Sequence, residues 1–68
     1  MTLSDDFFRG ILTALEILAV HDERTIFDEI VQSAGEKDII RVARSDGEMR
    51  RSGLTHYGYG RVRDEATR

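Results

Sequence analysis

His21 and His56 are the side chains best suited to proton transfer or metal binding near neutral pH, and their placement supports neither role. They are the two histidines of this 68-residue chain. They fall in different segments and match no zinc-ligand spacing and no helical histidine-glutamate motif, so both are read as surface or helix-end residues. Ser4, Ser33, Ser45 and Ser52 lack the strand-turn-helix setting of a nucleophile elbow and are better explained as caps or solvent-facing residues. Gly58 and Gly60 do not precede a helix and lack the lysine of a phosphate-binding loop. The acid pairs Asp5/Asp6 and Asp28/Glu29 are adjacent, which on a helix points them to different sides. Cysteine is absent, which removes thiol nucleophiles, zinc-thiolate sites and disulfides. The chain is therefore expected to be non-enzymatic, and its residues imply no cofactor and no metal.

Binding chemistry is better represented. The formal charge of −3 conceals an acidic front and a basic back. Up to Asp38 there are nine acids against three bases, a net of −6, whereas from Ile39 onward seven arginines face four acids, a net of +3. Arginine suits planar, two-pronged contacts to carboxylate or phosphate, and arginine and tyrosine are enriched at binding hot spots. Arg50, Arg51, Tyr57, Tyr59, Arg61 and Arg63 are accordingly the candidate partner-binding residues. A solvated surface with local ion pairs is the plainer alternative for the charges, and ordinary packing against a third helix for the tyrosines.

A nucleic-acid-binding regulator is the rival reading. Arg41, Arg44, Arg50, Arg51, Arg61 and Arg63 would neutralise phosphates while Tyr57 and Tyr59 stack on bases. The acidic front half would repel that ligand. A helix-turn-helix register also fails: setting Gly35 at the turn puts Glu36, Arg41 and Arg44 where buried residues are required.

The elements that must carry these side chains read as all-α. Ser4 can cap a first helix whose opening turn holds Asp5 and Asp6, where the positive end of the helix dipole favours acids. His21, Asp22 and Glu23 interrupt it. A second helix, capped by Asp22 or Thr25, carries Ile26, Phe27, Ile30, Val31 and Ala34 as one buried stripe and stops at Gly35. The short connection implies an antiparallel helical hairpin. A third helix is expected from Glu36 or Lys37 to about Ser45, with Ile39, Ile40 and Ala43 inward and Arg41 and Arg44 outward. The alternative over 39–52 is a strand hairpin turning at Asp46-Gly47. Ser45 and Glu48 also resemble a capping box that would start a short fourth turn ending at Gly53. Residues 1–55 are thus the helical core and dimerisation unit and 56–68 a flexible basic tail, and Leu54 and Tyr57, beyond Gly53, are expected to dock on the core.

The first helix is more apolar than one small core requires. At about 100° per residue, Phe7, Phe8, Ile11, Leu12, Ala14, Leu15, Leu18 and Ala19 form one arc, and Ile17 and Val20 extend it round the far side. Such a helix needs cover on two sides, and a chain of this size has little stability margin without a staple. A homodimer is expected, with Phe7, Gly10, Ile11, Ala14, Ile17 and Leu18 at the interface. Gly10 and Ala14 would let a second helix approach closely, or Gly10 would relieve crowding against the chain's own second helix. Arg9 and Glu16 interrupt the apolar run well short of a bilayer span, and no secretory flank is recognised, so a cytoplasmic protein without membrane contact is expected.

The run Gly35-Glu36-Lys37-Asp38-Ile39-Ile40 through Ser52-Gly53-Leu54-Thr55-His56-Tyr57 resembles small accessory proteins of temperate bacteriophages. The resemblance covers the third helix and the turn after it and assigns no residue a role. It implies a non-enzymatic, inhibitory or modulating module that binds a host or phage protein and covers its functional surface.

Overall fold

The structure, a computed structural model, describes residues 4–60. Three helices make up its framework: α1 (Asp5–Val20), α2 (Arg24–Ala34) and α3 (Glu36–Asp46). No strand occurs among the described residues. The all-α expectation holds, and the strand-hairpin alternative for 39–52 is overturned because Ile39, Val42 and Ala43 share one helical face and are all buried.

Each boundary has a local cause. Ser4 is extended before α1, and its carbonyl, rather than its hydroxyl, accepts the Phe7 N–H. At the other end Asp22 adopts a left-handed conformation with φ 57°. The Glu23 N–H then donates to Leu18 O at 2.9 Å and the Asp22 N–H to Ala19 O at 3.0 Å, the paired bonds of a Schellman stop. Aspartate is one of the few residues that tolerates this conformation. The same device closes α3, where Gly47 (φ 70°) follows Asp46 and the Glu48 N–H reaches Ala43 O at 2.8 Å. Ser45 lies inside α3 and so caps nothing. Neither Asp22 nor Thr25 caps α2, whose preceding residue is Glu23.

Residues 21–23 and the single Gly35 are the only links between successive helices, so the chain reverses twice. Asp5 meets Arg41 and Arg9 meets Asp46, which runs α3 alongside α1 in the same direction. The core between them contains Phe8, Leu12 and Leu15 of α1, Phe27 and Val31 of α2, and Ile39, Val42 and Ala43 of α3, together with Leu54.

Beyond Gly47 the chain runs in successive turns back across the open end of the core. Ser52 is buried, and its hydroxyl donates to Met49 O and accepts the Leu54 N–H, both at 3.3 Å. Leu54 is fully enclosed. The next residues continue this strap: the Tyr57 N–H donates to Gly53 O at 3.0 Å and the Tyr59 N–H to Leu54 O at 2.8 Å. Residues 56–60 therefore pack as part of the folded unit and do not behave as a loose arm. The remainder of the expected tail, 61–68, lies outside the described residues.

Candidate protein-interaction surface

The tyrosines expected to meet a partner are engaged within the chain. Tyr57 stacks edge-on against Phe27 with ring centroids 4.7 Å apart, and Tyr59 lies 5.9 Å from the same ring. Both hydroxyls donate to acids of the hairpin, Tyr57 to Asp22 at 2.7 Å and Tyr59 to Asp28. The Arg24 guanidinium sits 5.5 Å above the Tyr57 ring. Both rings are thus packed on Phe27 of α2, with the acids Asp22 and Asp28 fixing each phenol.

That arrangement has a pH signature. The hydrogen bond to Asp22 holds the Tyr57 phenol above its ordinary value, and burial together with Asp28 pushes Tyr59 up to about 12. A phenol whose pKa is raised by folding stabilises the fold fully below the ordinary tyrosine value of about 10 and loses that contribution as pH rises through the folded value. Phenolate absorbance should rise late on titration, with the last step accompanied by unfolding. Two tyrosines ionising together near the ordinary value in folded protein would contradict the packing.

Much of the basic half is likewise engaged. Arg41 pairs with Asp5 at 3.2 Å and Asp38 at 3.4 Å, Arg51 with Glu48 at 3.5 Å, and Arg44 donates to Gly60 O at 2.5 Å. Arg9 bridges Asp46 at 2.7 Å and Asp6 at 2.9 Å, and its hydrogen bond holds the Asp46 carboxyl below the usual carboxylate range. These pairs are exposed and contribute little individually. Arg50 is exposed with no ion-pair partner among the described residues, while Arg61 and Arg63 lie outside them. Of the described members of the candidate set, Tyr57 and Tyr59 are half-buried on Phe27, whereas Arg50 and Arg51 are solvent-facing.

The expected interface on α1 divides into two kinds of residue. Ile11 and Leu18 are half-buried against the core of their own chain. Phe7 is 43% and Ile17 56% exposed, joined by Val20 at 76%. Gly10 and half-buried Ala14 lie in the row between Phe7 and Ile17. A Cβ built on Gly10 would meet nothing within 4 Å. Gly10 thus relieves no crowding against α2, and this alternative for it is overturned.

A second apolar feature adjoins this ridge. Phe7 and Ile11 of α1, with Ile26, Ile30 and Ala34 of α2, line an open groove of about 530 Å³. Sequence periodicity assigned all five apolar residues of α2 to one buried stripe, but only Phe27 and Val31 are fully enclosed, and Ile26 is 46% exposed. The reason is positional. Phe27 and Val31 are enclosed in the core, whereas Ile30 and Ala34 lie at its edge, half-buried against it, and Ile26 lies farther round the helix and is exposed. The signal was the 100° step between Ile26 and Phe27, which one stripe cannot contain without an edge.

Catalytic groupings are not apparent among the described residues, and no cluster of three His, Asp or Glu suited to a metal occurs there. No described helix is long and apolar enough to cross a membrane. The chain matches no family model, and neither a curated protein nor a solved structure proves similar to it.

Proposed function

We propose that this chain is a small non-enzymatic protein-binding module that self-associates through the outer ridge of α1 and acts stoichiometrically by covering a partner's functional surface. The observation that carries the reading is the ridge itself. Phe7, Ile17 and Val20 stay in water although the core closes without them, and an uncrowded glycine, Gly10, lies between Phe7 and Ile17. A helix exposing apolar residues in one row calls for cover by another surface, and a second copy presenting the same row makes a self-complementary contact. The inhibitory or modulating role, the host or phage partner and the cytoplasmic setting belong to this proposal. Engagement of both tyrosines within the chain favours it over base stacking on nucleic acid.

Because association stabilises the folded state by mass action, the melting temperature of the native chain should rise with protein concentration. Ile17→Asp should abolish that dependence without unfolding the subunit, since the side chain it replaces is already more than half exposed. A concentration-independent melting temperature for the native chain would contradict self-association. Retention of duplex or single-stranded nucleic acid that weakens steeply with added salt would support the rival regulator instead.

A further inference from the structure

We propose that the groove between α1 and α2 docks a basic amphipathic helix from another protein. The inference rests on the reading of the chain as a protein-binding module and names the chemistry of its partner. Along α2 the groove runs from Ile26 to Ala34, about 12 Å at the helical rise of 1.5 Å per residue. That length accommodates roughly two turns, so an incoming helix would place anchors at i, i+3, i+4 and i+7 between Phe7 and Ile11 on one wall and Ile26 and Ile30 on the other.

Backbone chemistry selects a helix over an extended segment. Both walls are helices whose peptide groups are bonded within themselves, so an added strand would find no edge to pair with. A helix satisfies its own backbone and needs only apolar cover.

Charge selects the sign of the rim. The hairpin Asp5–Ala34 carries seven acids and two arginines; Asp5, Asp6 and Asp28 are ion-paired, and Glu16, Asp22, Glu23 and Glu29 have no cationic partner among the described residues. Arg9 is committed to Asp6 and Asp46, and Arg24 to Asp28. The charged residue lining the groove is Glu29, which is exposed and has no ion-pair partner among the described residues. A symmetric second copy would bring an equally acidic hairpin to this groove, whereas a helix with lysine and arginine beside its apolar stripe would complement it. Self-pairing uses the row on the other side of Phe7.

Fluorescence anisotropy with two labelled synthetic helices of about 14 residues tests this. Both carry leucines at i, i+3, i+4 and i+7, one flanked by lysine and arginine, the other by glutamate. The native chain should bind the basic peptide saturably and the acidic one at least about tenfold more weakly. Ile26→Asp should weaken the basic peptide by about tenfold or more. Glu29→Lys, at an exposed position that leaves the fold intact, should weaken the basic peptide and strengthen the acidic one, while Ile17→Asp should change neither. No binding, equal binding of both peptides, or indifference to Ile26→Asp and Glu29→Lys would overturn the proposal. Concentration-dependent melting reads the self-association separately, so failure of one leaves the other standing or falling on its own result.

Discussion

Gly53→Ala should destabilise the subunit by several kcal/mol, enough to abolish a cooperative melt in a domain this small. Gly53 has φ 92°, and a Cβ there would stand 2.5 Å from Ala19 Cβ and 3.2 Å from Phe27 Cε2. Ordinary carbon contacts lie near 3.5–4.0 Å, so the methyl cannot enter without moving either α1 or the buried phenylalanine. A positive φ adds about 1–3 kcal/mol for a residue with a side chain, and overpacking a closed core adds about 1–3 kcal/mol more. A single small core supplies only about 3–5 kcal/mol in total. Circular dichroism melting checks the outcome, and a shift of only a few degrees would show that the strap does not press on α1. Ala19→Gly in the Gly53→Ala background separates the two causes. It removes the closest contact but leaves the strained φ, so rescue should be partial, and the coupling between the two sites should be read from the full double-mutant cycle.

Phe27→Ala should be comparably damaging and should additionally release the strap. Phe27 is fully buried and forms the floor on which Tyr57 and Tyr59 lie. Truncating a buried phenylalanine costs about 3–5 kcal/mol, and its aromatic contacts contribute about 0.5–1.5 kcal/mol beyond the area they bury. If a folded remnant survives, the phenols should titrate closer to the ordinary tyrosine value, because their packing and their reach to Asp22 and Asp28 depend on that floor. Phe27→Leu, which retains most of the volume, should lower stability less and leave the hydroxyl hydrogen bonds in place. Unchanged tyrosine titration in Phe27→Ala would place the cause of the raised values elsewhere.

The helices were legible because each has a local signature. Asp5 and Asp6 open α1, Gly35 separates α2 from α3, and Asp46-Gly47 closes the last helix. Leu54 could be seen as an anchor because it stands alone among polar and glycine residues. Val42 was overlooked, although its place between Ile39 and Ala43 puts it on the same inward face. The strap was harder to foresee. Glycines at 53, 58 and 60 lower helix tendency and suggest looseness, yet the positive φ they allow is what bends residues 53–60 back onto Phe27. Tyr57 and Tyr59 carry the same composition whether they meet a partner or a phenylalanine of their own chain. Only the tertiary position of Phe27, Asp22 and Asp28 decides between the two, and no local spacing encodes that.

The surplus of apolar residues on α1 was legible for a different reason, since it depends on counting faces rather than on finding contacts. Ile17 and Val20 extend the apolar arc beyond what α2 and α3 can reach, and both are exposed. The groove was missed because periodicity places Ile26 and Phe27 on one stripe. Two helices packed side by side leave the outer edge of such a stripe open, and α3 covers only the inner edge. The two exposed surfaces meet at Phe7, so substitutions there would disturb both and distinguish neither. Ile17 and Ile26 are the positions that separate them.

The claim on which the account turns is that the outer ridge of α1 is covered by a second copy in solution. Sedimentation equilibrium of the native chain at micromolar concentration, run beside Ile17→Asp, tests it most directly. The account predicts a mass rising toward that of two chains for the native protein and a single-chain mass for the variant. A native protein that stays at one chain mass while fully folded would contradict it.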